Sequence, residues 1–209
     1  MARTVNEKQR DERRKKIIHA ATQLFAQHGY SQCTITQIAK MAGISHATIF
    51  LYFANKDELF QHIILEPLDE AKQFYQLLLS QGSSPLECIH DLVNGQIQRA
   101  LQNSTYLRLV QYVLGQPNRF PELAVELDHY VTTFVNTLIP LIEEGQKIGQ
   151  LKPANPFYVS WAYFSYYNGI GMCYLEPNEE SIHEFVKGGL RIFNPTENIH
   201  SYFVEGERF

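Results

Sequence analysis

Apolar positions recur along this chain at three-and-four spacing, and no run of period-two alternation suggests a sheet. The first helix is predicted over about 6–28, with an apolar stripe at Ile17, Ala21, Leu24, Phe25 and His28. Gly29 follows as the left-handed residue that ends it. Thr34 reads as an N-cap and Gln37, three residues on, completes a capping box. The short helix they open runs through about Met41 and buries Ile35, Ile38 and Ala39. Gly43 supplies a tight turn, Ser45 caps a brief helix over about 45–51, and Ile49 points back to the core. Asn55 with Glu58 starts a further helix through about Glu66 and past Pro67 to Leu79. Capped helices joined by such short turns predict a compact tri-helical arrangement.

Beyond residue 80 the punctuation is Gly82-Ser83-Ser84-Pro85, Gly115-Gln116-Pro117, Gly149 through Pro156, and Pro177-Asn178. Helices are predicted between these signals at about 85–103, 104–114, 119–146, 156–175 and 179–193. The 119–146 segment places Leu123, Leu127, Tyr130, Val131, Phe134, Leu138 and Leu141 on one face. Pro140 inside it removes the bond to the Asn136 carbonyl, so a kink is expected there. The tail from Thr196 is polar with scattered aromatics.

Composition narrows the class. Of 209 residues 44% are hydrophobic and 19% charged, which argues against disorder. No apolar run reaches the roughly 18 residues of a membrane span. The charged first sixteen residues lack the apolar core of a secretory signal. Cys33, Cys88 and Cys173 are odd in number and widely spaced, as expected of a reduced cytoplasmic protein without a disulfide framework or zinc site. The net charge of -4 hides an asymmetry. Residues 1–56 hold nine Lys and Arg against three Asp and Glu, whereas 57–209 hold nine against nineteen. A basic head on an acidic body fits a nucleic-acid-binding end, although a solvated basic tail gives the same charge.

The stretch from Thr34 to Phe60 carries the most information. It resembles the DNA-binding segment of the TetR family, with the pattern Thr-x-x-x-Ile-Ala-x-x-Ala-Gly-Val-Ser-x-x-x-Leu-Tyr-x-Tyr-Phe-x-x-Lys-x-x-Leu. The match includes Ala42-Gly43, Tyr52-Phe53 and Lys56, and it departs at Ile49 and Phe50, where the family usually has Leu and Tyr. Phe50 has no hydroxyl with which to touch phosphate. The resemblance implies an all-α fold: an N-terminal three-helix helix-turn-helix head over 1–56, joined to a helical ligand-binding and dimerisation body over 57–195, with a polar tail at 196–209. A helix-turn-helix lays its second helix in the major groove. That geometry turns Ser45, His46, Ala47 and Thr48 to the bases, His46 as a donor to guanine and Ala47 or the Thr48 methyl against thymine. Thr34, Thr36, Gln37, Tyr52 and Lys56 are the expected DNA contacts around it, mainly to phosphate, with Phe50 as core or apolar groove contact. Thr34 and Ser45 are caps in either case, and Tyr52 has packing under the turn as its alternative. Arg10, Arg13, Arg14, Lys15 and Lys16 add phosphate contacts or form a solvated face.

In the body, Glu144 to Pro156 resembles the family's link between its seventh and eighth helices, and the resemblance implies a dimer built from the last two helices. Ala162, Ser165 and Gly169 form a small-residue stripe, and Ile182, Phe185, Val186, Gly189, Leu190 and Phe193 an apolar one. These are expected at the dimer interface, although a protomer core would look the same. Aromatic residues crowd 157–174, from Phe157 to Tyr174, and suggest a bulky hydrophobic or aromatic effector. Tyr112, Phe134, Trp161, Phe164 and Tyr167 are the expected pocket residues. The reading is thus a dimeric repressor on a palindromic DNA operator, released by a small molecule, with no cofactor, metal or membrane. A sequence-independent, nucleoid-type DNA binder is one alternative. A small helical enzyme is the other, with no HExxH, GxSxG, P-loop or GxGxxG to support it.

Overall fold

The computed structural model describes residues 5–80, 82–171 and 178–196. Cys173, Tyr174 and the tail from 197 lie outside the described residues, as does the end of the helix predicted to reach 175. Among the described residues there are nine α-helices and one isolated antiparallel bridge, Leu151 to Pro195. In chain order they are α1 (Val5–His28), α2 (Ile35–Ala42), α3 (His46–Ile49), α4 (Lys56–Ser80), α5 (Pro85–Gln102), α6 (Ser104–Leu114), α7 (Pro121–Lys147), α8 (Pro156–Ile170) and α9 (Glu179–Ile192). None of these is long and apolar enough to cross a membrane.

The chain packs as two compact units. The first takes the residues up to Asp69 with Arg108–Val125, and the second Glu70–Leu107 with the chain from Glu126 on. Packing therefore divides the chain differently from the boundary at 56/57 drawn from charge and motif, because α4 serves both units. Pro67 and Pro140 lie within α4 and α7, which continue through them.

Local chemistry sets the helix ends of the first unit. Gly29 ends α1 at φ 76° and Gly43 ends α2 at φ 68°, conformations that a side chain strains. The core beneath is built from Ile17, Ala21 and Phe25 of α1, Ile38 and Ala39 of α2, Ile49 of α3, and Phe53, Leu59 and Phe60. Each large side chain among these contributes about 1.5–3 kcal/mol on burial. His28, expected on the stripe, is exposed instead, because the buried face of α1 ends at Phe25.

In the second unit α5 is the buried element, contributing Leu86, Ile89, Leu92, Val93, Ile97 and Ala100 to the core. Helices α8 and α9 pack on it. The outcome for α9 corrects the expectation of an interface stripe. Val186, Gly189, Leu190 and Phe193 are buried within the protomer, and the Phe193 ring lies 5.0 Å from that of Tyr163. A Cβ on Gly189 would stand 2.9 Å from Val93 Cγ1, so this glycine permits close approach inside one chain rather than between two. Ile182 and Phe185 are half-buried. On α8, by contrast, Ala162, Ser165 and Gly169 are all exposed.

A buried amide interrupts this core. Gln96, 3% exposed, donates through Nε2 to the Tyr75 hydroxyl at 2.5 Å and accepts at Oε1 from the Tyr163 hydroxyl at 2.6 Å. The Tyr75 and Tyr130 hydroxyls are 2.9 Å apart. A buried amide is tolerated because both its ends are partnered. Tyr163→Phe removes the donor to Gln96 and leaves a buried carbonyl unmatched, at a cost of about 1–3 kcal/mol. Urea unfolding should show the midpoint lowered with the slope kept; an unchanged midpoint would mean that the hydroxyl contributes nothing.

Candidate nucleic-acid interface

Capping chemistry builds the helix-turn-helix. The Thr34 Oγ1 accepts from the Gln37 amide at 3.2 Å, while the Thr34 amide donates back to Gln37 Oε1 at 2.8 Å. The Thr34 hydroxyl also donates to Gln37 Oε1, at 3.0 Å. At α3 the Ser45 Oγ accepts from the Thr48 amide at 3.1 Å, and the two hydroxyls are 2.7 Å apart. Asn55 Oδ1 accepts from the Glu58 amide at 2.8 Å to open α4. The Glu58 carboxylate returns to the Ala54 amide rather than to that of Asn55.

These caps decide what faces outward. Ser45, His46 and Ala47 are exposed at the start of α3, Thr48 is half-buried and Ile49 is buried. Thr34, Thr36 and Gln37 are exposed around the start of α2. Phe50 is not a core residue: it is 45% exposed, with its ring edge-on to His46 at 5.1 Å between centroids. Tyr52 is half-buried and lines a shallow concavity with Arg10 and Arg14 of α1, shared with Glu7 and Asp11.

Two of the cations expected at phosphate have partners within the chain. The Lys56 ammonium donates to the carbonyls of Tyr30 and Cys33, each at 3.0 Å, and lies 4.2 Å from the centroid of the Tyr30 ring. Its charge is spent on tying the loop after α1 to the start of α4. Arg14 makes a two-pronged bond to Glu66 of α4, at 2.9 and 3.0 Å, and stands 5.6 Å from the Phe53 ring centroid. Arg10, Arg13, Lys15 and Lys16 stay exposed on α1, and Lys40 on α2.

Tyr30 is a residue that the sequence reading missed. It is buried, its hydroxyl donates to Asp57, and its ring packs on Phe25, Phe60 and Phe120. Burial, and then the bond to Asp57, raise the phenol well above its ordinary pKa, so it remains a donor. Arg119 binds the same place, with its guanidinium on the Ser31 hydroxyl and 5.3 Å from the Tyr30 ring centroid. Nothing in the local pattern around Gly29-Tyr30-Ser31 signals these long-range partners.

The expected effector residues divide. Phe134, Trp161 and Phe164 come together in the second unit: the Phe164 ring is 5.9 Å from Phe134 and 5.8 Å from Trp161. Tyr167 lies in the same unit, where burial, and then Tyr75, raise its phenol. Tyr112 does not join them. It belongs to the first unit, where its hydroxyl accepts from Arg119 at 3.3 Å. The sequence reading placed Tyr130 on the apolar face of its helix and Tyr163 among the aromatic residues, but it missed Gln96 and Tyr75 and the network that joins the four; the three phenols are raised chiefly by burial. The available signal was Gln96 itself, a lone polar residue among Leu92, Val93, Ile97 and Ala100 at helical spacing.

Residues 17–63 match the family model for bacterial regulatory proteins of the tetR family, which spans the end of α1 through the start of α4. The chain is 29% identical over 147 residues to the HTH-type transcriptional regulator YhgD of Bacillus subtilis, covering 69% of this chain and 75% of that protein. It is 25% identical over 145 residues to the fatty acid metabolism regulator protein of the same species, covering 69% and 74%. Among solved structures, AibR in complex with isovaleryl coenzyme A and operator DNA superposes with a TM-score of 0.69 at 16% identity, over 88% of this chain and 99% of that one. Fold, caps and matched segment together define a helix-turn-helix transcriptional regulator that binds DNA. Residues 17–63 carry the DNA-binding segment of the tetR family of bacterial regulatory proteins.

Lys56→Ala leaves two carbonyls without their cation and should cost about 1–3 kcal/mol in thermal or denaturant unfolding. The salt dependence of DNA binding should keep its slope. Unchanged stability with a slope shallower by about one would return Lys56 to phosphate binding.

Proposed function

We propose that this protein is a homodimeric repressor that holds a palindromic operator with the Ser45–Phe50 segment of each protomer. The observation that carries the reading is the exposed, Ser45-capped start of α3 inside the segment that matches the family model. Ser45, His46, Ala47 and Thr48 are the proposed base-facing residues, and Thr34, Thr36, Gln37 and Tyr52 flank them. Exposed Arg10, Arg13, Lys15 and Lys16 supply phosphate contacts, which add affinity without sequence information. A single recognition helix reads one half-site, so two protomers are required.

The exposed face of α8 is the proposed dimer surface. Phe157, Tyr158, Trp161, Ala162, Ser165 and Gly169 lie on it, with Tyr158 69% and Trp161 37% exposed. Apolar side chains beside small ones favour close helix packing, and Ile182 and Phe185 of α9 are half-buried candidates for its margin. Ala162→Glu should yield a monomer by light scattering with the protomer still folded, and DNase protection of one short palindrome should disappear with it. A dimeric Ala162→Glu variant would move the interface elsewhere. Protection spread evenly along DNA by the native protein would favour a sequence-independent binder.

The effector we propose is a fatty acyl group, carried as an acyl thioester of coenzyme A. Support comes from the aromatic cluster of Phe134, Trp161 and Phe164, an apolar lining suited to an acyl chain. The relatives that regulate fatty acid metabolism and bind isovaleryl coenzyme A point the same way. Because α4 serves both units, displacement of its far end is the proposed route to the recognition helices. Linkage limits the effect to the effector's differential affinity, commonly about 1–3 kcal/mol, or 5- to 150-fold. Titration with acyl-coenzyme A of increasing chain length should shift the emission of Trp161, the single tryptophan, and release operator DNA in that range. Tight binding with operator affinity untouched would refute the allosteric part.

A further inference from the structure

The helix that faces the bases carries few polar groups at liberty to read them. Ser45 and Thr48 are bonded to each other, and the Ser45 oxygen also holds the Thr48 amide. Moving the Ser45 oxygen to a base breaks the cap, which is worth about 1 kcal/mol, and turning the Thr48 hydroxyl away gives up its bond to Ser45. In the preceding helix the Gln37 carbonyl is held by the amide and hydroxyl of Thr34. What α3 and its exit present outward is largely carbon: the exposed methyl of Ala47, the Phe50 ring at 45% exposure and Leu51 at 74%. The Phe50 ring also stands edge-on to His46, at 5.1 Å and 64°, and so restricts that imidazole.

A phenyl ring left in water loses the stabilisation that burial gives. The charge of the head favours a nucleic acid as the occupant: residues 1–56 carry nine Lys and Arg against three Asp and Glu. In the major groove the one apolar group that distinguishes a base pair is the C5 methyl of thymine. We infer that Phe50, with Ala47, is a specificity-determining residue that reads thymine methyl groups, beside a guanine read by the His46 it orients. The inference rests on α3 as the recognition helix, and it makes the half-site depend on methyl contact more than on hydroxyl hydrogen bonds.

The test uses the full-length protein and the duplex it selects from a randomised library. Each thymine in the half-site is replaced by deoxyuridine, which removes the methyl and leaves every hydrogen-bonding edge. Native protein should lose about fourfold in affinity at one or two thymines, the worth of one carbon moved from contact into water. Phe50→Ala should bind the parent duplex more weakly and show no further loss at one of those positions, while Phe50→Leu keeps part of the dependence. Thermal unfolding of each variant checks that the exposed position left the fold intact. Silence of every thymine-to-uracil change overturns the inference while a discrete selected sequence preserves α3 as the reader. Equal methyl dependence in native protein and Phe50→Ala overturns the assignment to Phe50. Selection of no discrete sequence, or of one unchanged by His46→Ala and Ala47→Gly together, removes α3 as the reader and the inference with it.

Discussion

The Lys56 ammonium, held between the carbonyls of Tyr30 and Cys33 and over the Tyr30 ring, joins the loop after α1 to the first residue of α4. Everything that positions α3 hangs from that junction. The loop fixes where α2 begins, α2 and its glycine turn fix α3, and α4 receives the chain immediately after it. A lysine does this work well, because a half-buried ammonium bonds two carbonyls and still offers its charge to an aromatic face. Arg14 repeats the arrangement further along, pairing with Glu66 while standing over Phe53. Two of the cations that give the head its positive charge thus act as internal ties. Field at the surface and cohesion inside draw on the same residue types but on different individuals.

The second unit solves a different problem. Its helices are held by apolar burial, yet Gln96 and three tyrosine hydroxyls sit inside that core. Such a network fixes orientation, since each hydroxyl has a defined partner and burial keeps the phenols protonated. Gly189 and Gly188 let α9 approach α5 and α8 closely; the Tyr166 hydroxyl donates to the Phe185 carbonyl at 2.7 Å and occupies the space where a Gly188 side chain would be.

Features decided within a few residues were legible in the sequence. The capping box at Thr34 and the cap at Ser45 needed only the residue three places on, and Gly29 and Gly43 announced their left-handed turns. The candidate reading face at Ser45–Thr48 followed from those boundaries and from the family pattern. Features decided by distant partners were not. Lys56 looks the same in sequence whether it meets phosphate or two carbonyls 23 and 26 residues earlier. The stripe on α9 satisfies an inner core and an interface equally well, and only packing against Val93 and Tyr163 assigns Gly189 to the core. Tyr112 was grouped with Phe134 by residue type, whereas packing assigns the two to different units.

Helix α3 is four residues long, far below the length at which a helix persists by itself. Its order comes from the Ser45 cap, the buried Ile49 and the short turns on either side. Fixing a residue's backbone costs about 1–2 kcal/mol of entropy, and here that cost is met when the chain folds. If α3 is the recognition helix, as proposed, encounter with DNA finds its exposed residues preorganised, and contact energy in the groove is not diverted into ordering them. In that proposed role the element would act as a die, shaped before it meets the groove.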